Sequence, residues 1–441
     1  MRTLSWARGL RGHASALRLA AGLALAPGSA LGFEWLPEFQ SLDENEPEDF
    51  QGPHRLGSEY TSDIHSYSKP LTWESAWLAS PIVFDGTVGS TSAVEFMVDS
   101  RAKAWAELIP GRLDFRFTWF DHGDQERDTR HAVLELVAWL HPKVGVSVYG
   151  EPTLNKRQSD LGGALLVRPT PRHELRLFLT RVDLVRGNRS NRPETFAEGG
   201  EPWSTGLVGR VFRAPERGPR DFLEYAVRWE HRTRWQFLEE RSEYQYEKHF
   251  ASLFFQVDTR QGFDVAARLQ VDRRWEARQR LEPDADVVEE RWRTDRLLGL
   301  LRAIVPGRGF VEGWEFSPGV HLALRRWDVN GRRIAYNELL PHVWVEAPGF
   351  DWGGGAALRW LLGYEATYHG ERGDFEEALG ERYRPSAEDV DGILHHRLNT
   401  GLQVAVGARG ALRLLVTWDL DGSTAGGRIW QGGVGQLRVT F

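Results

Sequence analysis

The chain has 441 residues, of which 41% are hydrophobic and 27% charged, with a net charge of −7, 19 tryptophans, no cysteine and a mean hydropathy of −0.45. Beyond the first 32 residues no segment is apolar for long enough to cross a bilayer as a helix, and 12% aromatics exclude wholesale disorder. The lack of cysteine removes disulfides, thiolate zinc sites, iron–sulfur clusters and cysteine-borne lipid anchors.

In chain order, Arg2, Arg8, Arg11 and Arg18 precede an apolar stretch from Leu19 to Leu31 with small residues at Ala30 and Gly32. Basic, then apolar, then small is the order of a secretory signal peptide, so residues 1–32 are expected to be removed by cleavage near Ala30 to Gly32. Residues 33–70 follow with nine acids against Arg55 and Lys69, a composition expected of an acidic, disordered periplasmic leader. That segment alone carries as much negative charge as the whole chain, so the remainder, residues 71–441, is close to balanced.

From about residue 91 the dominant signal is a period of two, which places one face of each segment in a different medium from the other. Leu113, Phe115, Phe117 and Trp119 alternate with Arg112, Asp114, Arg116 and Thr118. Similar runs set Val265, Leu269 and Val271 against Asp264, Arg268 and Asp272, and Leu412, Leu414 and Trp418 against Arg413, Thr417 and Asp419. Eighteen such strands are read, beginning near 91, 102, 112, 132, 143, 161, 173, 203, 222, 246, 262, 295, 313, 338, 355, 393, 411 and 429, with sixteen as the other even count.

The connections alternate in kind. Short turns are expected at Pro110-Gly111, His141 to Lys143, Pro169 to Arg172, Arg260 to Gly262, Pro306 to Gly309 and Gly407 to Gly410. Long polar loops are expected at 121–130, 183–202, 277–293, 326–337 and 369–391. An all-β, antiparallel, up-and-down transmembrane barrel with short periplasmic turns and long surface loops has this pattern, whereas a soluble sandwich has no reason to sort its loops by length. Low hydropathy then reflects strands that are apolar only at alternate positions. Trp119, Trp229, Trp360, Tyr364, Tyr368 and Trp418 fall on apolar faces, where amphipathic rings favour the membrane interface.

The opposite parity defines an expected lumen containing Arg116, Arg176, Arg210, Arg228, Arg268, Arg325, Arg359, Arg397, Arg413 and Arg438. It also contains the acids Asp114, Glu135, Glu174, Glu224, Asp264, Glu346, Glu365 and Asp419. On this reading basic residues outnumber acidic ones, and arginine rings in a pore favour anions. Cross-strand pairing with carboxylates is the other use of the same residues. Trp139, Tyr149, Phe178 and Trp344 share the face, together with Phe212, Phe250 and Phe254. Their rings suit stacking on sugars beside arginine forks, and packing inside a partly filled barrel would employ them equally well.

The chain ends Leu437-Arg438-Val439-Thr440-Phe441, with Leu437, Val439 and Phe441 on one face. This resembles the C-terminal assembly signal of bacterial outer-membrane barrels, with Val439 standing where an aromatic is usual. The resemblance implies a bacterial outer-membrane location and, as partners, outer-membrane lipid and the barrel-assembly machinery. Eighteen strands with an arginine-rich lumen look like polysaccharide-export barrels such as the alginate exporter, and lumenal aromatics look like sugar-specific porins.

The expected function is an outer-membrane channel for polar, preferentially anionic solutes, most specifically export of a surface polysaccharide with periplasmic export partners. The alternatives are a general or sugar/anion-selective diffusion porin and a structural or adhesion barrel acting through its loops. Residues 193–200 loosely resemble a porin constriction motif but lie one long loop later than in trimeric porins. No catalytic set, metal site, cofactor motif or nucleic-acid partner is expected. His395 and His396 are adjacent on a strand and should face opposite ways, so they cannot chelate one metal.

Overall fold

The computed structural model describes residues 80–90, 97–124, 128–150, 161–170, 172–181, 196–198, 203–212, 221–237, 242–259, 262–281, 287–353, 355–374, 377–378, 394–407, 409–421 and 430–440. The expected signal peptide and leader, residues 193–195 and 199–200 of the constriction-like stretch, and Phe441 lie outside the described residues.

Successive antiparallel strands account for nearly all of these residues. They are β1 (Ile82–Ser90), β2 (Met97–Ile109), β3 (Leu113–Asp124), β4 (Asp128–His141), β5 (Val144–Gly150), β6 (Leu161–Thr170), β7 (His173–Arg181), β8 (Phe196–Glu198), β9 (Trp203–Phe212) and β10 (Phe222–Phe237). They continue as β11 (Ser242–Asp258), β12 (Asp264–Leu281), β13 (Val287–Pro306), β14 (Glu315–Val329), β15 (Arg332–Glu346), β16 (Phe350–Gly353), β17 (Ala356–Arg372), β18 (Leu394–Val406), β19 (Gly410–Asp419) and β20 (Trp430–Thr440). Two are accessory: β8 pairs with the end of β10, and β16 continues β15 past Pro348-Gly349 to pair with the start of β17. The other eighteen form a closed ring, because β1 pairs with β2 on one side and with β20 on the other. Closure leaves no unpaired edge, the condition for a sheet to sit in hydrocarbon.

Burial is inverted relative to a soluble protein. Leu136, Val148, Val227, Leu301, Trp360 and Leu414 are exposed, while Asp85, Arg176, Arg210 and Glu365 are fully buried. Along each strand the exposed apolar and the buried polar residues alternate, so the outer face meets lipid and the inner face meets the rest of the ring. The interface aromatics follow the same parity: Trp229, Trp360, Tyr364 and Tyr368 are exposed on the outer face, and Trp119 and Trp418 are half-buried there.

Strand number and most starting points agree with the sequence reading. The first two strands begin at Ile82 and Met97 instead of near 91 and 102. Three expected loops are largely strand. β3 and β4 leave only 125–127 between them, β12 and β13 only 282–286, and β14 and β15 turn on Asn330-Gly331. Asn330 has φ 52° and Gly331 φ 87°, the paired left-handed conformation of a tight hairpin that twists with its strands. The expected 369–391 loop also starts later, because β17 runs to Arg372.

These extensions make the barrel lopsided. β5, at 7 residues, is about 23 Å long, whereas β13, at 20 residues, is about 66 Å long. The excess projects toward the end with the long connections, since the short turns share their end with the start of β1 and the finish of β20.

Above the lipid the hydrophobic parity flips. In β14 the outward residues are Val320, Leu322 and Leu324 and then Arg326 and Asp328, while the inward ones change from His321 and Arg325 to Trp327 and Val329. β15 descends from the same tip with Ile334 and Tyr336 buried inward and Arg333 outward. Outside the membrane the outer surface meets water, and this hairpin becomes ordinary half-buried sheet. The 326–337 segment therefore lacks the lipid-strand pattern although it is strand.

Candidate functional site: the inward wall of the barrel

All ten arginines and all four aromatics expected in the lumen lie on the inward parity. Their surroundings divide the wall into sectors.

The first sector runs from β3 to β10. Glu135 on β4 meets Arg116 on β3 at 3.8 Å and Arg176 on β7 at 2.7 Å, and Arg116 also meets Asp114 at 3.7 Å. The reach from β4 to β7 passes over two intervening strands, so this arc is sharply bent. Gly145 and Gly162, on the inward face of β5 and β6, remove side chains that would resist such a bend. Val133, Val137, Tyr149, Ala164, Leu166 and Phe178 fill the concave side as one apolar cluster. Farther round, Arg210 pairs with Glu224, Arg168 with Glu174 at 2.7 Å, and Arg228 with Glu230 at 3.2 Å.

The four aromatics have a common role in packing. A β-carbon placed on Gly145 would meet the Trp139 ring at 2.9 Å, on Gly162 the Tyr149 ring at 2.3 Å, on Gly206 the Phe178 ring at 2.5 Å and on Gly363 the Trp344 ring at 2.7 Å. Each ring thus lies against a glycine of a neighbouring strand, the arrangement by which aromatics cover exposed glycine backbone in sheets. Tyr149, Phe178 and Trp344 are 2%, 8% and 4% exposed, which leaves little ring face for a cargo. Trp139 is further engaged by its indole N–H donating to Asp114 at 2.8 Å and by the Arg168 guanidinium 3.8 Å above its ring.

The second sector, β11 to β14, differs. Arg268 is exposed on the inward face, stands between Phe254 and Leu300 in the ladder, and holds its guanidinium 4.6 Å from the Phe254 ring centre. Arg325 stands between Arg296 and Tyr336, and Arg296 is itself paired with Asp272 at 2.7 Å. Arg302 lies on the same face of β13.

In the third sector Arg359 binds Glu346 at 2.6 Å, and the Gln403 amide donates to that carboxylate at 3.2 Å. Arg397 is in register between Glu365 and Asp419, and Arg413 between Gln403 and Gln436. At the closing seam Asp85 of β1 takes Arg101 of β2 at 2.9 Å and Arg438 of β20 at 4.0 Å.

Asp85, Lys103, Glu230, Lys248, Glu276 and Glu338 are also buried on the inward face. With them included, buried basic and acidic side chains are nearly equal in number among the described residues, so the expected overall surplus of positive charge is absent from the buried wall. Asp85 lies ahead of the first strand start expected near 91, and so the sequence pattern gives no sign of it. At the short-turn end Val83 of β1 joins Phe212, Phe222, Phe254, Ala266 and Ile304 of β9 to β13 in one apolar cluster. That cluster links opposite arcs of the ring and constricts the interior there.

Leu437 and Val439 lie on the outer face of β20, with Leu437 41% exposed. His396 faces outward, its ring 2.5 Å from the Tyr364 hydroxyl, while His395 occupies the adjacent and opposite register position, as expected.

No family model matches the chain, and no curated protein matches it. Solved structures with similar folds include OprD from Pseudomonas aeruginosa, at 9% identity and TM-score 0.38, covering 82% of this chain and 92% of that one. OpdL of the same organism gives 12% identity and TM-score 0.37, covering 82% and 97%. A structure described as a bacterial polysaccharide outer membrane secretin gives 8% and 0.36, again covering 82% and 97%. Independently of these loose superpositions, a closed eighteen-strand ring, apolar outside and polar inside, with both ends of the ring at the short-turn side, is a bacterial outer-membrane β-barrel of porin size.

Proposed function

We propose that the barrel is a channel for polar, preferentially anionic solutes, with its selective contacts in the β11 to β14 sector and its narrowest point at the apolar cluster around Val83 and Phe254. The ring size supports a passage, since barrels of this strand number enclose more space than wall side chains fill. The observation that carries the anionic preference is Arg268, exposed on the inward face with Phe254 and Leu300 as its ladder neighbours. Arginines elsewhere, such as Arg116, Arg176 and Arg210, have carboxylates against them, and their field is largely spent inside the wall. Selectivity therefore depends on a few groups, in the manner of a diffusion porin.

Export of a surface polysaccharide is the narrower reading. It draws less support from Trp139, Tyr149, Phe178 and Trp344, because those rings cover glycines. Planar-bilayer recording tests the channel directly. Discrete conductance with anion preference is expected, Arg268→Glu should shift the reversal potential toward cations, and Phe254→Ala should raise conductance. A barrel that stays silent in every form would sink the reading in favour of a structural role, and a selectivity indifferent to Arg268→Glu would remove the anionic part. A clean deletion scored for surface polysaccharide separates export from diffusion.

A further inference from the structure

On the tall side of the barrel the outer face changes chemistry along a single line of register. Val271, Leu297 and Leu324 are cross-strand partners on β12, β13 and β14, and they form the last apolar row. The next outward row is His249 on β11, Arg273, Asp295 and Arg326, and the row above it is Glu247 on β11, Trp275, Arg293, Asp328 and, on β15, Arg333. On β14 and β15 the inward face turns apolar beside these rows, at Trp327, Val329 and Ile334, while on β12 it stays charged at Arg274 and Glu276, and the change in outer chemistry marks where the strands leave the lipid.

The arginines outnumber the carboxylates in these rows and share them. Asp295 takes Arg273 at 2.5 Å and Arg293 at 3.1 Å, and Arg333, 87% exposed, meets Asp328 at 3.5 Å. A bulge in β10 between Glu230 and Thr233 adds Arg232, whose guanidinium lies 4.1 Å above the Trp275 ring and bonds the Gln245 carbonyl oxygen at 2.8 Å. The short-turn end exposes Leu140, Phe310, Phe350 and Trp352 together with single cations such as Arg112, Lys143 and Arg172, one or two to a turn.

We propose that the Arg273, Arg293, Arg326 and Arg333 face is a binding site for the phosphate groups of a phosphorylated glycolipid in the outer leaflet. The acyl chains of such a lipid lie against Val271, Leu297 and Leu324, which brings its headgroup phosphates to the height of the first arginine row. The planar, always-charged guanidinium forks match phosphate oxygens in pairs, and a cluster of them beside the headgroups adds a field that falls off within about 8–10 Å of the surface. The inference rests on membrane placement alone and holds whether or not the lumen conducts.

The test titrates the purified full-length barrel, in a neutral detergent, with bisphosphorylated lipid A and with its dephosphorylated form, and reads saturable binding. Wild type should bind the phosphorylated lipid about tenfold or more tightly than both the dephosphorylated lipid and the R273Q/R293Q/R326Q variant can manage. Lys143→Gln, at the opposite end, should bind as wild type does. Heat-modifiable migration on gels checks that each variant is folded. If the triple variant does not fold, R273Q and R333Q singly carry the test, each expected to weaken binding severalfold. Equal binding of the two lipids, undiminished binding by the arginine variants, or displacement by inorganic phosphate at concentrations comparable with the lipid would each overturn the proposal.

Discussion

Glu135 holds two cations at once, and Arg176, one of them, is fully buried. Neutralising a shared buried partner leaves the remaining charge in a poorly solvated place, which costs more than the pair contributed. Glu135→Gln is therefore expected to lower stability by about 3 kcal/mol in denaturant titration followed by tryptophan fluorescence. Asp295→Asn, which also removes a carboxylate shared by two arginines, should cost about 1 kcal/mol or less, because Arg273 and Arg293 are 56% and 47% exposed and water can replace the carboxylate. Similar losses for the two would contradict this ranking. The glycine platforms give a second contrast at this scale. Gly363→Ala pushes a β-carbon to 2.7 Å from the Trp344 ring, so overpacking of about 1–3 kcal/mol is expected. Gly299→Ala meets nothing closer than 3.7 Å and should be nearly neutral by the same measurement. The inward side of all ten arginines and all four aromatics is legible from parity. Partners were not, because an ion pair such as Arg176 with Glu135 depends on how sharply β4 to β7 bend, and curvature leaves no mark in a period of two.

Among the elements, the β14–β15 hairpin shows why strand ends were harder to read than strand centres. Its sequence, Arg325 to Tyr336, contains the Asn-Gly pair that favours a tight turn, yet its outward residues are charged and its inward ones apolar, the reverse of a lipid-facing strand. A reading tuned to apolar-outward alternation ends each strand where the lipid ends, and so it assigned 326–337 to a loop. The hairpin also makes a prediction. Gly331 at φ 87° occupies a conformation that a β-branched residue resists by roughly 1–2 kcal/mol. Gly331→Val should therefore speed amide exchange in the tip of β14 and β15 while exchange at Leu322 and Leu339, within the apolar belt, is unchanged. If exchange rose along both strands alike, the hairpin above the lipid would be no separate unit, contrary to the parity flip at Leu324 and Arg326.

For the whole molecule the decisive feature is that the ring has no end, and the pairing of β1 with β20 over Val83 to Ser90 makes it so. Asp85 sits on this seam with its side chain fully buried, touching Arg101 on one neighbour and Arg438 on the other. Removing its charge leaves two arginines facing a neutral group at the one junction that the chain cannot form locally, since β1 and β20 are separated by almost the entire sequence. Pairings of that separation bear the largest loop-closure cost and form late. Asp85→Asn is accordingly expected to slow folding into detergent or lipid more than Glu135→Gln does, although Glu135 belongs to the denser ion-pair cluster. Gel migration of unheated samples taken at intervals during refolding reads the effect as a delayed folded band. Because a closed sheet gives up all its pairings together, the heated folded band should also convert to the unfolded one in a single step, at a lower temperature than in the wild type. Two-step conversion of Asp85→Asn would mean that the seam opens while the rest of the ring persists, and the barrel would then be a sheet held shut at one edge instead of a cooperative ring.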